Sequence, residues 1–157
     1  MPSGGKSIYI AGPAVFNADM GAAYYNGVRE LLRKNGVVPL IPTDSKATDA
    51  PTIRAKNMEM IRNCDAVIAD LSPFRGHEPD CGTAFEVGYA IAQNKAVITF
   101  TTDQRTMRER YGARTDKDGL LVEDFGLPHN LMLCDGEPVH SSFEEAFQHF
   151  LLTHGAA

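Results

Sequence analysis

Basic residues never gather into a run in this sequence of 157 residues. Acidic residues outnumber them, 20 Asp and Glu against 15 Lys and Arg, for a net charge of −5. The electrostatic footprint of a nucleic-acid binder is therefore missing, and a small neutral or weakly polar substrate fits better. Cysteine is scarce. Cys64, Cys81 and Cys134 form an odd, scattered set without a C-x-x-C, which suits reduced thiols in a cytoplasmic compartment better than a disulfide framework. The five histidines lack zinc-ligand spacing, so no metal is expected. No apolar stretch is long enough to span a membrane. Met1 to Ser7 is short and polar, unlike a secretory leader, and residues 1–6 are expected to form a flexible leader. G-x-G-x-x-G and Walker sequences are both absent, which excludes a dinucleotide fingerprint and a P-loop; no cofactor is expected. Internal repeats, low-complexity blocks and linkers are missing too.

What is present reads as one ordinary globular domain. The length suits a single core, and 43% hydrophobic with 22% charged residues is close to the globular average. Ser7 to Ala11, Val37 to Ile41, Ala66 to Leu71 and Ala96 to Phe100 read as short apolar strands, with Leu131 to Leu133 as a fifth. Between them lie helical patterns over Met20 to Asn35, Ile53 to Asn63 and Asp80 to Asn94. A short helix is expected over Arg105 to Tyr111 and a terminal one over Phe143 to Thr153, capped by Ser141 or Ser142. Alternating strands and helices predict a single-domain α/β fold, a doubly wound parallel sheet of flavodoxin-like, Rossmann-type layout. Ligands in such folds sit beyond the C-terminal strand ends. That rule selects Gly12 to Asp19, Pro42 to Pro51, Ser72 to Thr83, and the chain from Thr101 onward. The charged segment from Thr101 to Pro128 is long enough to be a lid or an intersubunit arm.

The most informative stretch is Asp80-Cys81-Gly82-Thr83-Ala84-Phe85-Glu86-Val87-Gly88. A helix opens there with Gly82 and Thr83 and carries a glutamate among apolar neighbours. A lone helix glutamate is ordinarily a solvated surface residue. Glu86 instead lies at the strand–helix crevice, with Asp80 at its mouth, and a carboxylate in such a place needs a partner. Tyr9, polar inside an apolar strand, is either an ordinary strand aromatic or a hydroxyl aimed at that carboxylate. Phe16 reads equally as core or as a ring that stacks on a ligand, and Asp70 equally as a turn residue or a site-edge residue. Gly82 allows close approach of a ligand.

These residues resemble the nucleoside 2-deoxyribosyltransferase family over nearly the whole chain. The resemblance rests on I-Y-I-A-G-P at Ile8 to Pro13, which includes Gly12, and on C-D-A-V-I-A-D-L at Cys64 to Leu71. It rests equally on the stretch from Asp80 to Gly88 and on N-L-M at Asn130 to Met132. It implies a ping-pong exchange of 2-deoxyribose between nucleobases, with deoxynucleosides and free bases as partners. Glu86 would be the nucleophile, Tyr9 would orient it, and Asp80 would bind the sugar. Asn130 would come from a neighbouring subunit, with Met132 beside it, so the active form would be a homo-oligomer. Where many members have an aspartate this chain has Asn57, and an amide has no useful acidity. The protonation of the leaving base is then left to Asp44 or Asp80. The D-C-G-T-A-F-E wording is similar to the purine-preferring branch. A carboxylate suits this chemistry because it stabilises an oxocarbenium-like sugar and can capture C1′.

Two other enzymes share parts of the pattern. A 2′-deoxynucleoside 5′-monophosphate N-hydrolase has the glutamate and the tyrosine, but it needs serines or basic groups for phosphate where this chain has Asp80 and Asn130, and a carboxylate repels phosphate. The cytokinin-activating phosphoribohydrolases carry P-G-G before their G-T-x-x-E, and this chain does not. A non-catalytic nucleotide-sensing module is the third alternative. Base release with and without an acceptor base separates all of these.

Overall fold

The computed structural model describes residues 4–155; the expected leader therefore falls outside the described residues at positions 1–3. Along the chain run β1 (Ser7–Ala11), α1 (Ala22–Lys34), β2 (Val38–Leu40), α2 (Ala50–Asn63) and β3 (Ala66–Asp70). They are followed by α3 (Cys81–Ala92), β4 (Ala96–Phe100), α4 (Met107–Tyr111), β5 (Val139–His140) and α5 (Phe143–His154). The five strands form one sheet in the order β2-β1-β3-β4-β5, and every pairing is parallel. This is the flavodoxin-like order expected from the sequence, with its switch point between β1 and β3.

Strand alternation divides the core in two. In β1, Ile8 and Ile10 point to the face covered by α1 and α5, where they join Val28, Leu32, Ile68, Phe147 and Phe150. Tyr9 and Ala11 point the other way and join Ile61, Val67, Ala69, Val87 and Ala90, the face covered by α2 and α3. A one-residue slip of β1 would exchange these sets. The pairing Tyr9 with Val67 and Ile10 with Ile68 therefore fixes where the Tyr9 hydroxyl goes.

Local chemistry moved several helix ends from where periodicity puts them. α1 begins at Ala22, not Met20, because Met20 and Gly21 have left-handed φ of 55° and 79°. The Asp19 carboxylate accepts the Gly21 and Ala23 amides there. α2 begins at Ala50, three residues before the apolar pattern does. Asp49 caps it by accepting the Thr52 amide at 3.0 Å, and Pro51 fits the first turn, where no intrahelical N–H is needed.

The fifth strand was misplaced. Leu131–Leu133 is a 3-10 turn, whose opening Asn130 accepts the Met132 amide at 2.9 Å. The strand is Val139–His140, whose Val139 pairs with Thr99 of β4. Two residues are too short for a period to register, and only the open edge of β4 selects them. The segment from Thr101 to Pro128 contains α4, closed by a Thr106/Glu109 capping box, and a single bridge, Thr115 to Leu121. Its base is tied down by Arg110, 4% exposed, which donates to the carbonyls of His77, Asp103 and Arg105 at 2.9, 2.9 and 3.2 Å.

Candidate active site

Thr83, Glu86, Val87 and Ala90 recur at helical spacing and turn one face of α3 toward the sheet. Thr83, Val87 and Ala90 are buried, and Glu86 is half-buried. Glu86 thus meets Tyr9, which alternation has turned to the same side. The Tyr9 hydroxyl, fully buried, donates a hydrogen bond to Glu86 Oε2. Burial pushes the Glu86 carboxyl up from its ordinary 4.5 to about 7; the Tyr9 hydrogen bond pulls it back, and the Asp80 charge raises it again. Burial, then the Glu86 charge, hold the Tyr9 hydroxyl far above its ordinary range, so it remains a donor at any working pH.

Asp80 caps α3. Its Oδ2 accepts the Thr83 amide at 2.9 Å and the Thr83 hydroxyl at 2.8 Å, a cap worth about 1 kcal/mol to the helix. Both bonds fall on Oδ2, and Asp80 also lines the cavity. Gly12, directly after β1, lets the chain pass β3 closely; a Cβ there would sit 2.9 Å from Asp70 Cβ.

In front of Glu86 opens a cavity of about 420 Å3, the size of an ordinary small-ligand site. Of the residues expected at the site, Gly12, Phe16, Asn57, Asp80, Gly82 and Glu86 all line it. Phe16 is exposed and not core; its ring lies 5.2 Å from that of Phe74, and the Arg75 guanidinium covers both at 5.1 and 4.6 Å. Asp70 turns away to accept the Ser72 amide at 2.9 Å.

Three expected residues are elsewhere. Asp44 is exposed and paired with Arg29 through both carboxylate oxygens, outside the cavity wall, and so is poorly placed to protonate a base held there. Asn130 donates to Glu123 Oε1 at 2.6 Å and faces a separate hollow with Tyr111 and Leu121. Met132 is 78% exposed.

Of the outer wall, the sequence singles out Asn57 alone. Ile53, Arg54, Asn57 and Ile61 line the cavity from α2. Their spacing of one, three and four residues is that of a helix face, but Ile53 and Ile61 invite a reading as pure core. Phe85 and Met58 complete the wall; Arg54 lies over the Phe85 ring at 5.5 Å. The useful signal was Arg54 and Asn57, two polar residues at i and i+3 on an otherwise apolar face.

A buried carboxylate at the switch point, backed by a phenol and facing an apolar cavity, defines an α/β enzyme acting on a small molecule at the C-terminal sheet edge. Comparison with known proteins makes this specific. The nucleoside 2-deoxyribosyltransferase family model matches residues 8–132, and the chain belongs to that family. A 2-deoxyribosyltransferase from Leishmania mexicana is 63% identical, with a TM-score of 0.92 over 95% of this chain and 99% of that one. An uncharacterized protein of Schizosaccharomyces pombe is 30% identical over 80% of this chain and 74% of its own length. A conserved protein from Enterococcus faecalis, 22% identical over 92% of this chain and 96% of its own, has a TM-score of 0.60 and shares the fold. No helix among the described residues is long and apolar enough to cross a membrane.

Proposed function

We propose that this enzyme moves 2-deoxyribose between nucleobases by double displacement through a covalent sugar on Glu86, with purines preferred. The observation that carries the reading is Glu86 on the cavity wall with the buried Tyr9 hydroxyl donating to it from behind. Tyr9 occupies one carboxylate oxygen, and the other is left to attack C1′ as the first base departs. The ester then waits for a second base, whose ring nitrogen attacks C1′ from the vacated side and restores the configuration. Asp80 holds the sugar hydroxyls. Phe16 and Phe85 border the cavity with exposed ring surface suited to stacking on a flat base. The wording of Asp80 to Glu86 supports purines over pyrimidines.

Two features support an oligomer with shared sites. Asn130 lies outside the cavity of its own chain. Leu120 and Leu121, which share its hollow, and Met132, whose amide it accepts, are 66–78% exposed, apolar surface of the kind that marks a subunit contact.

The test is direct. Glu86→Ala should lose transfer between deoxyadenosine and a second purine by several orders of magnitude, on the order of 10⁴-fold or more. A slow 2′-fluoro substrate should leave one sugar on Glu86 by mass spectrometry. A label on another residue, or base release that requires only water and ignores the acceptor, would refute transfer through Glu86 and favour a hydrolase.

A further inference from the structure

Departure of a base leaves negative charge on its ring nitrogens, and something in the cavity must carry it. Carboxylic acids are the obvious donors, yet among the described residues only Asp80 and Glu86 bring carboxyls to this cavity. Glu86 is spent on C1′. Asp80 gives Oδ2 to the Thr83 amide and hydroxyl, and in the proposed reaction its other oxygen is taken by the sugar. Across the cavity stands the α2 face. Arg54 takes part in no ion pair among the described residues, and its guanidinium lies over Phe85, itself part of the wall. One turn on, Asn57 Oδ1 is buried without a hydrogen-bond partner. A buried amide oxygen left unpaired costs stability unless a ligand satisfies it.

We infer that Arg54 and Asn57 form the leaving-group clamp, in which a fixed cation and an amide replace a general acid. This rests on the double displacement through Glu86. As the C1′–N9 bond breaks, its electron pair passes to the purine while the free Glu86 oxygen bonds to C1′. Arg54 keeps its proton and donates hydrogen bonds to the ring nitrogens over which the charge spreads. Asn57 turns its amide toward the base edge when the base enters, so that Oδ1, buried and unpaired in the free chain, accepts a base N–H. The released purine anion takes its proton from solvent. The reverse step uses the same contacts on the incoming base. A guanidinium stays charged at every working pH, so the base side of the reaction needs no titrating donor.

The experiment follows base release from 2′-deoxynucleosides of 6-substituted purines graded in the acidity of the departing N–H. Wild type, Arg54→Met, Arg54→Lys and Asn57→Asp are compared, with trapping of the 2′-fluoro sugar on Glu86 measured in parallel. Arg54→Met should lose on the order of 100-fold in kcat/KM with the poorest leaving base and under about 10-fold with the best. Arg54→Lys should recover part of the loss. The wild-type rate for deoxyadenosine should rise through about 7, where Glu86 ionises, and then stay level. Asn57→Asp should add a falling alkaline limb, because it introduces an acid that must be protonated. Equal losses on every base after Arg54→Met would reduce Arg54 to packing against Phe85 and overturn the clamp. So would an alkaline limb already present in wild type. The two readings fail separately. Normal trapping on Glu86 without leaving-group sensitivity at Arg54 sinks the clamp alone, whereas sensitivity at Arg54 with no sugar on Glu86 sinks the covalent route.

Discussion

Glu86→Gln should stabilise the folded protein above neutral pH while destroying its activity. The cause is the cost of ionising a buried carboxyl. Glu86 titrates near 7 in the folded chain against 4.5 ordinarily, with burial the largest cause. For an acid raised on folding, the protonated form is the one the fold favours. The contribution of Glu86 to stability is therefore complete below about 4.5, falls as pH rises, and is gone above about 7. The difference corresponds to about 3 kcal/mol. Glutamine keeps the shape and still accepts from Tyr9, but it never ionises. Denaturant titrations of both proteins, at one concentration so that subunit association does not intrude, should coincide near pH 4.5. They should then separate to about 3 kcal/mol by pH 8 in favour of Gln. In a scan at pH 8 the variant should melt roughly 6–12 °C higher. A stability difference that does not change with pH, or a variant that is weaker at pH 8, would refute the account of Glu86 as a buried, costly anion. The converse statement is functional: under the proposed double displacement, the enzyme would keep a destabilising charge because that charge serves as the nucleophile.

Tyr9 and Asp80 act on the same carboxyl with opposite signs, so their variants should move the acidic limb of the rate profile in opposite directions. Tyr9→Phe should shift it upward and lower kcat by roughly 10- to 100-fold; Asp80→Asn, which keeps the cap, should shift it downward, as read from kcat/KM between pH 5 and 9. Under the proposed capture of C1′ by Glu86, deoxyadenosine should exceed adenosine in transfer rate by a large margin, because a 2′-hydroxyl would crowd the carboxylate and withdraw electrons from the oxocarbenium ion; similar rates in a side-by-side assay would contradict this. Mixed oligomers of Glu86→Ala and Asn130→Ala chains should regain activity if Asn130 completes a neighbour's site, and proven subunit exchange without recovery would mean that each site lies within one chain.

Local pattern in the sequence determined much of this protein. Apolar runs separated by helical periods specified the parallel sheet and its crossovers, because strand and helix periods are local and sterically enforced. Motif wording pointed to Glu86, Tyr9, Asp80 and Gly12. Only the tertiary structure decided what those residues meet. The carboxyl of Glu86 is an ordinary one until the register of β1 against β3 turns Tyr9 under α3 and takes much of the carboxyl out of water, and that register is a long-range pairing no window of residues contains. Asp44 looked available until the fold set Arg29 against it. Val139–His140 became a strand because β4 offered an open edge, while Leu131–Leu133, more strand-like in composition, was turned by the Asn130 cap. Arg54 and Asn57 line the cavity because α2 lies across from α3, a packing relation that their own spacing suggests but does not aim.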